Sequence, residues 1–137
     1  MKKLIFAIIL CFIWTSIPSP GHAKIYISQP KFESPYEAIW EAICQYESRN
    51  DPMAYNPRED AVGIAQIRPI RIKDYNERTG KNYKLVEMYD VEKSKEVFMH
   101  YATHLHHRNK IIRKWNGSGP QSYKYLAEIL KIIEENS

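Results

Sequence analysis

The chain is predicted to fold as one mainly α domain with little or no β structure, and three observations carry that expectation. Apolar residues recur at helical spacing in three separate stretches. Each stretch is closed by a cluster of Asn, Pro or Gly. After removal of an apparent leader, ~114 of the 137 residues remain, enough to bury one core. With 44% hydrophobic and 26% charged residues, the composition is that of a globular chain rather than a disordered one.

The leader comes first. "MKKLIFAIILCFIWTSIPSPGHA" has two lysines, an apolar run from Leu4 to Ile17, two prolines and a small residue, Ala23, at its end. Those are the parts of an export signal, and the run falls short of the ~20 apolar residues a spanning helix needs. Residues 1–23 are therefore expected to be cleaved, leaving a domain over 24–137 that is periplasmic or secreted, with no stable membrane span. Without Lys2 and Lys3 the formal charge drops from +4 to about +2, too mild to argue for nucleic acid. Cys44 is then the one cysteine left, so no intramolecular disulfide is expected and the apolar core must hold the fold. On a helix among apolar residues, Cys44 reads as a small buried hydrophobe.

The first helix is expected from about Pro35 to about Glu47. Ser34, Pro35 and Glu37 have the arrangement of a capping box, and Ile39, Ala42, Ile43 and Tyr46 form its buried stripe, with Trp40 beside it. Pro52 and Pro57 forbid helix through the polar stretch that follows. "AVGIAQI" is short and apolar, and periodicity does not decide between strand and helical turn. A second loop is expected over "DYNERTGKNYKLVEMYD". The longest helical pattern runs from Val91 to about Lys114, with Val97, Phe98, Tyr101, Leu105 and Ile112 on one face. "NGSGP" ends it. A last amphipathic helix, "QSYKYLAEILKIIEE", places Tyr123, Leu126, Ile129, Leu130 and Ile133 inward.

Glu47 is the residue whose position asks for an explanation. A glutamate at a helix C-terminus faces the negative end of the dipole. Four residues before it lies Ile43, so the carboxyl sits at the edge of the apolar stripe. Dipole and desolvation both favour its neutral form, which is how a carboxylic acid is kept ready to donate a proton near neutrality. By itself the residue is more often solvated than catalytic; Asp51, Glu59 and Asp60 nearby read as solvated loop charges.

The order "ESRNDPMAYNP…AVGIAQI", a long helix, "KWNGSGP" and "SYKYLAEIL" resembles the lytic transglycosylases of the soluble-transglycosylase type, related to goose-type lysozymes. The resemblance covers nearly all of the chain after the leader. It implies a compact lysozyme-like helical domain with a substrate cleft, acting on peptidoglycan glycan strands without a cofactor. Glu47 matches the family's single acid/base and Ser48 the serine after it. Asn56 falls where a Ser or Asn helps orient the glutamate, Gly63 and Gln66 match the ends of the "GLMQ" motif, Trp115, Asn116 and Gly117 the "AYN-A-G" motif, and Tyr123 a late cleft aromatic. Ile64 and Ala65 replace the motif's Leu-Met, and Trp115 replaces its tyrosine, so a phenolic hydroxyl is missing at that position. A cleft role and a core role for Trp115 stand level.

The implied reaction is cleavage of the β-1,4 bond between N-acetylmuramic acid and N-acetylglucosamine with closure of a 1,6-anhydro ring; hydrolysis, as in a muramidase, stays open. The rival from another class is an exported module that keeps the fold and binds glycan or a partner without cutting. An envelope-spanning secretion or conjugation assembly would be a natural user of so small a domain. His100, His104 and His107, spaced four and three apart, would share a helix face, but with no acidic or Cys ligand beside them an exposed solvated face is the stronger reading, and no metal is expected.

Overall fold

The computed structural model describes residues 34–137, so the leader expected over 1–23 lies outside the described residues. The elements are α1 (Glu37–Ser48), β1 (Tyr55–Asn56), β2 (Ala61–Val62), α2 (Pro69–Thr79), a 3-10 helix (Leu85–Tyr89), α3 (Val91–Leu105), α4 (Arg108–Asn116) and α5 (Gln121–Glu135). The expected mainly α class holds, and the β structure is one antiparallel pair that sets Tyr55 against Val62 and Asn56 against Ala61. Among the described residues no helix is long and apolar enough to cross a membrane.

α1 forms where expected, but its entry is built differently. Ser34 accepts from Tyr36 and Glu37 through its hydroxyl and carbonyl, and Tyr36, without a side-chain cap bond, occupies the capping position. Glu37 instead pairs with Lys95 of α3, so the capping box does not close. The buried stripe is Ile39, Trp40, Ala42, Ile43 and Cys44, while Tyr46 is 43% exposed. Trp40 meets Phe98 at 5.4 Å between ring centroids, and Phe98 meets Trp115 at 5.4 Å edge-on. This aromatic chain joins α1, α3 and α4. A fully buried ring such as Phe98 contributes ~1.5–3 kcal/mol relative to leaving it exposed.

The apolar heptapeptide forms a short strand and a tight turn. Val62 and Ile67 exchange both backbone hydrogen bonds, at 3.0 and 2.9 Å, across Gly63–Gln66. Gly63 holds φ +78°, and a Cβ there would lie 2.0 Å from the Met88 carbonyl oxygen. Only glycine lets the turn press this closely on the 3-10 helix.

Two expectations are corrected. The stretch expected as a second loop begins inside α2 and contains the 3-10 helix. Pro69 starts α2 where its missing N–H costs nothing, and Gly80, at φ +73°, ends it. Its buried side chains are Ile72 and Tyr75, too few for an apolar stripe to announce the helix. The helix expected over 91–114 is two helices. His106 adopts the left-handed conformation at φ +58° and His107 restarts the chain as an extended cap for α4. Histidine tolerates that conformation better than most side chains, and the break lets α4 turn and pack along α5.

α5 spans the expected residues and turns Ile129 inward, with Leu126, Leu130 and Ile133 packed against the core; the correction is Tyr123. Ser122, Tyr125 and Ile129 are buried, whereas Tyr123 is 60% exposed.

Candidate active site

Glu47 stands in the last turn of α1 and opens into a hollow of about 470 Å³ that it shares with Glu59, Gln66, Arg68, Arg71, Trp115 and the Asn116–Gly119 turn. α1 supplies the carboxyl, the β2 turn supplies Gln66, the start of α2 supplies both arginines, and the end of α4 supplies Trp115 and Asn116. The α1 C-terminus reaches this point because Arg49, left-handed at φ +59°, turns the chain away immediately after Ser48.

Tyr125 donates its phenolic hydroxyl to Glu47 Oε1 at 2.7 Å. Among the described residues this is the side-chain hydrogen bond to that carboxyl. The hydroxyl absent at Trp115 therefore arrives from α5. Burial pushes the Glu47 carboxyl above its ordinary value; the Tyr125 bond and the Arg68 charge pull the other way, Glu59 pushes up again, and Arg71 opposes. The net direction is upward, so desolvation outweighs the partners. Burial and the Glu47 charge in turn keep the Tyr125 phenol protonated by raising it. Tyr125 is then a donor at every physiological pH.

The arginines organise the far wall. Arg71 donates to the Trp115 carbonyl at 2.8 Å and the Lys114 carbonyl at 3.2 Å, with its guanidinium 4.4 Å from the Trp115 ring centroid and 4.8 Å from that of Tyr101. Arg68 donates to the Asn116 carbonyl at 3.3 Å. Both cations satisfy carbonyls that the end of α4 leaves without intrahelical partners, where the dipole favours positive charge. Trp115 is held on both sides: its indole N–H donates to the Ala65 carbonyl at 3.4 Å, and the residue is 6% exposed. It serves as core and as cleft wall at once.

The remaining expected residues separate into wall, support and elsewhere. Gln66 lines the hollow, its amide anchored on the Gly63 carbonyl at 2.9 Å and the Ala54 carbonyl at 3.3 Å. Asn116 lines it too. Ser48 points away, donating to the Ile64 carbonyl at 2.7 Å, and so ties the β2 turn to α1. Gly63 acts through its close approach to Met88 rather than by lining the hollow. Asn56 accepts from the Arg58 N–H at 3.1 Å in its own turn; the group that bonds Glu47 is Tyr125. Tyr123 lies in a separate groove beneath Arg113, outside the hollow. Sequence reasoning missed Tyr125, Arg68 and Arg71. The second tyrosine of "YKY" and the arginines flanking Pro69 were the available signals.

Two other candidates are answered by geometry. Burial pushes the Cys44 thiol up to about 12, so it stays a thiol at neutral pH. The break at His106 takes His107 off the α3 face that carries His100 and His104, and among the described residues no three His, Cys, Asp or Glu side chains group to hold a metal.

Among the described residues, five helices with one small strand pair make this a compact lysozyme-like α domain. The family model described as "Transglycosylase SLT domain" matches residues 28–118, more than half of the chain, and the chain belongs to this family, a transglycosylase type that acts on peptidoglycan. No curated protein and no solved structure matches the chain. The match ends before α5, the helix that carries Tyr125.

Proposed function

We propose that the protein is an exported lytic transglycosylase in which Glu47 serves first as general acid and then as general base. The observation that carries this reading is the Glu47 carboxyl itself: raised by burial, held by Tyr125, and facing a hollow walled by polar and aromatic groups. Most glycosidases employ two carboxylates. Glu59 is the other carboxyl lining the hollow, and it is more than half exposed and engaged with Arg68 at 4.0 Å, which suits a wall charge more than a nucleophile.

In this mechanism neutral Glu47 gives its proton to the glycosidic oxygen as the bond from muramyl C1 to that oxygen breaks, its electron pair leaving with N-acetylglucosamine. The substrate's acetamido group shields the cationic C1. The Tyr125 hydroxyl stabilises the carboxylate that Glu47 becomes. That carboxylate then takes the proton of the muramyl C6 hydroxyl while its oxygen bonds to C1, which closes the 1,6-anhydro ring and restores neutral Glu47. No water is consumed and no cofactor enters. Removal of residues 1–23 on export would put the domain where its substrate lies, outside the cytoplasm.

Mass spectrometry of the fragments released from purified peptidoglycan tests this. The protein is expected to release 1,6-anhydromuropeptides and Glu47→Gln to release none. Reducing-end products would make it a muramidase, and binding without release by either protein would make it a non-catalytic module.

A further inference from the structure

The region from Val97 to Ala127 contains no Asp or Glu but holds five Lys or Arg and four His residues. In a chain of net charge +4 that is a strong local imbalance. The fold gathers part of it into a second groove of about 590 Å³ between α4 and α5, lined by His107, Lys110, Arg113, Lys114, Tyr123 and Leu126. Arg113 lies flat over the Tyr123 ring, its guanidinium carbon 3.7 Å from the centroid, and its Nε donates to Ser122 at 3.3 Å. That stack holds an aromatic ring open to solvent. Among the described residues no salt bridge involves a cation of the groove.

The groove adjoins the Glu47 hollow. Gly117 lines both. A ligand that fills the hollow thus meets the groove at Gly117. A glycan strand in peptidoglycan is neutral along its sugars, but the peptide on each muramyl lactyl group carries free carboxylates. We infer that the basic groove of α4 and α5 receives the carboxylates of the stem peptide borne by the strand in the Glu47 hollow, with Lys110, Lys114 and Arg113 as the charge partners and Tyr123 and Leu126 as an apolar floor for the peptide's side chains. The concave shape favours a peptide over a flat anionic membrane, and the shared wall favours one attached to the strand over a separate acidic protein. This inference rests on the proposed glycan-cleaving site for its geometry, not for its test.

Lys110 and Lys114 are exposed and form none of the hollow's side-chain walls, so reversing both charges tests the groove without touching Glu47. Soluble strands freed of cross-links are prepared with their stem peptides, and a second set is stripped by an amidase. Binding of both sets is measured with Glu47→Gln and with Glu47→Gln carrying Lys110→Glu and Lys114→Glu; product release is measured with the two corresponding active proteins. Peptide-bearing strands are expected to bind more tightly, by about threefold to tenfold at low salt, and the double reversal is expected to abolish that preference while leaving stripped strands unaffected. Equal binding of the two sets, or a preference that survives the double reversal, overturns the inference. A preference lost on reversal without any anhydro product from the active protein counts against the catalytic reading alone. Anhydro products formed equally from both sets, with or without the reversals, count against the groove alone.

Discussion

Tyr125→Phe removes one oxygen, that of the hydroxyl that bonds Glu47. The ring is 3% exposed and sits edge-on to Tyr46 at 5.1 Å, so phenylalanine keeps the packing. What disappears is a 2.7 Å bond from a neutral donor to a carboxyl that, in the proposed mechanism, ionises as it gives up its proton. Hydrogen bonds to charged groups contribute ~1.5–3 kcal/mol, and each ~1.4 kcal/mol at the transition state is tenfold in rate. The initial rate of fragment release should therefore fall about ten- to a hundredfold. The pH profile carries the second signature. The Tyr125 bond lowers the Glu47 carboxyl against the upward push of burial, so its removal raises the carboxyl further. The first proposed step needs Glu47 protonated, hence the alkaline limb of the profile should move to higher pH. A lower rate from simple misfolding would not move that limb. An unchanged rate with an unshifted limb would show that the hydroxyl does not act through Glu47.

Three more outcomes follow from named contacts. Because burial raises the Glu47 carboxyl in the folded state, ionising it costs stability as pH climbs from the ordinary carboxylate range through the raised value; Glu47→Gln should match the wild type in acid and exceed it in melting temperature near neutrality. Glu96 has the opposite sign: Lys81, Tyr75 and Tyr83 hold its carboxyl down at about 2, so its contribution is present above the ordinary carboxylate range and is lost as pH falls toward that value. Glu96→Gln should thus melt below the wild type at neutrality and converge with it in strong acid, by a modest margin since the side chain is 41% exposed. Gly63→Ala should lose ~2–4 kcal/mol in denaturant titrations, because its Cβ would need the space of the Met88 carbonyl at a positive φ that alanine resists.

The resemblance placed Glu47 and Gln66 in one site before any coordinates, and both do line one hollow. It could do so because the order of motifs along a chain survives in sequence. Tyr125 was not legible in the same way. "SYKYLAEIL" offers two tyrosines two residues apart, which point to nearly opposite sides of a helix, and the stripe through Tyr123, Leu126, Leu130 and Ile133 is as regular as the one through Ser122, Tyr125, Ile129 and Ile132. Packing buried Ile129 with Tyr125, kept Leu126, Leu130 and Ile133 against the core, and left Tyr123 outside. The break at His106 was equally hidden, since neither glycine nor proline interrupts the pattern there.

The sequence by itself determined the mainly α class, the helices at α1 and α5, and the acid at the end of α1, because helical periodicity and chain-stopping residues are local properties. Tertiary structure decided the rest. Which tyrosine donates to Glu47, how Arg68 and Arg71 close the end of α4, and where the cations around Lys110 gather all depend on helix rotation. Rotation is set by which side chains fill the shared core, and no one segment contains that information.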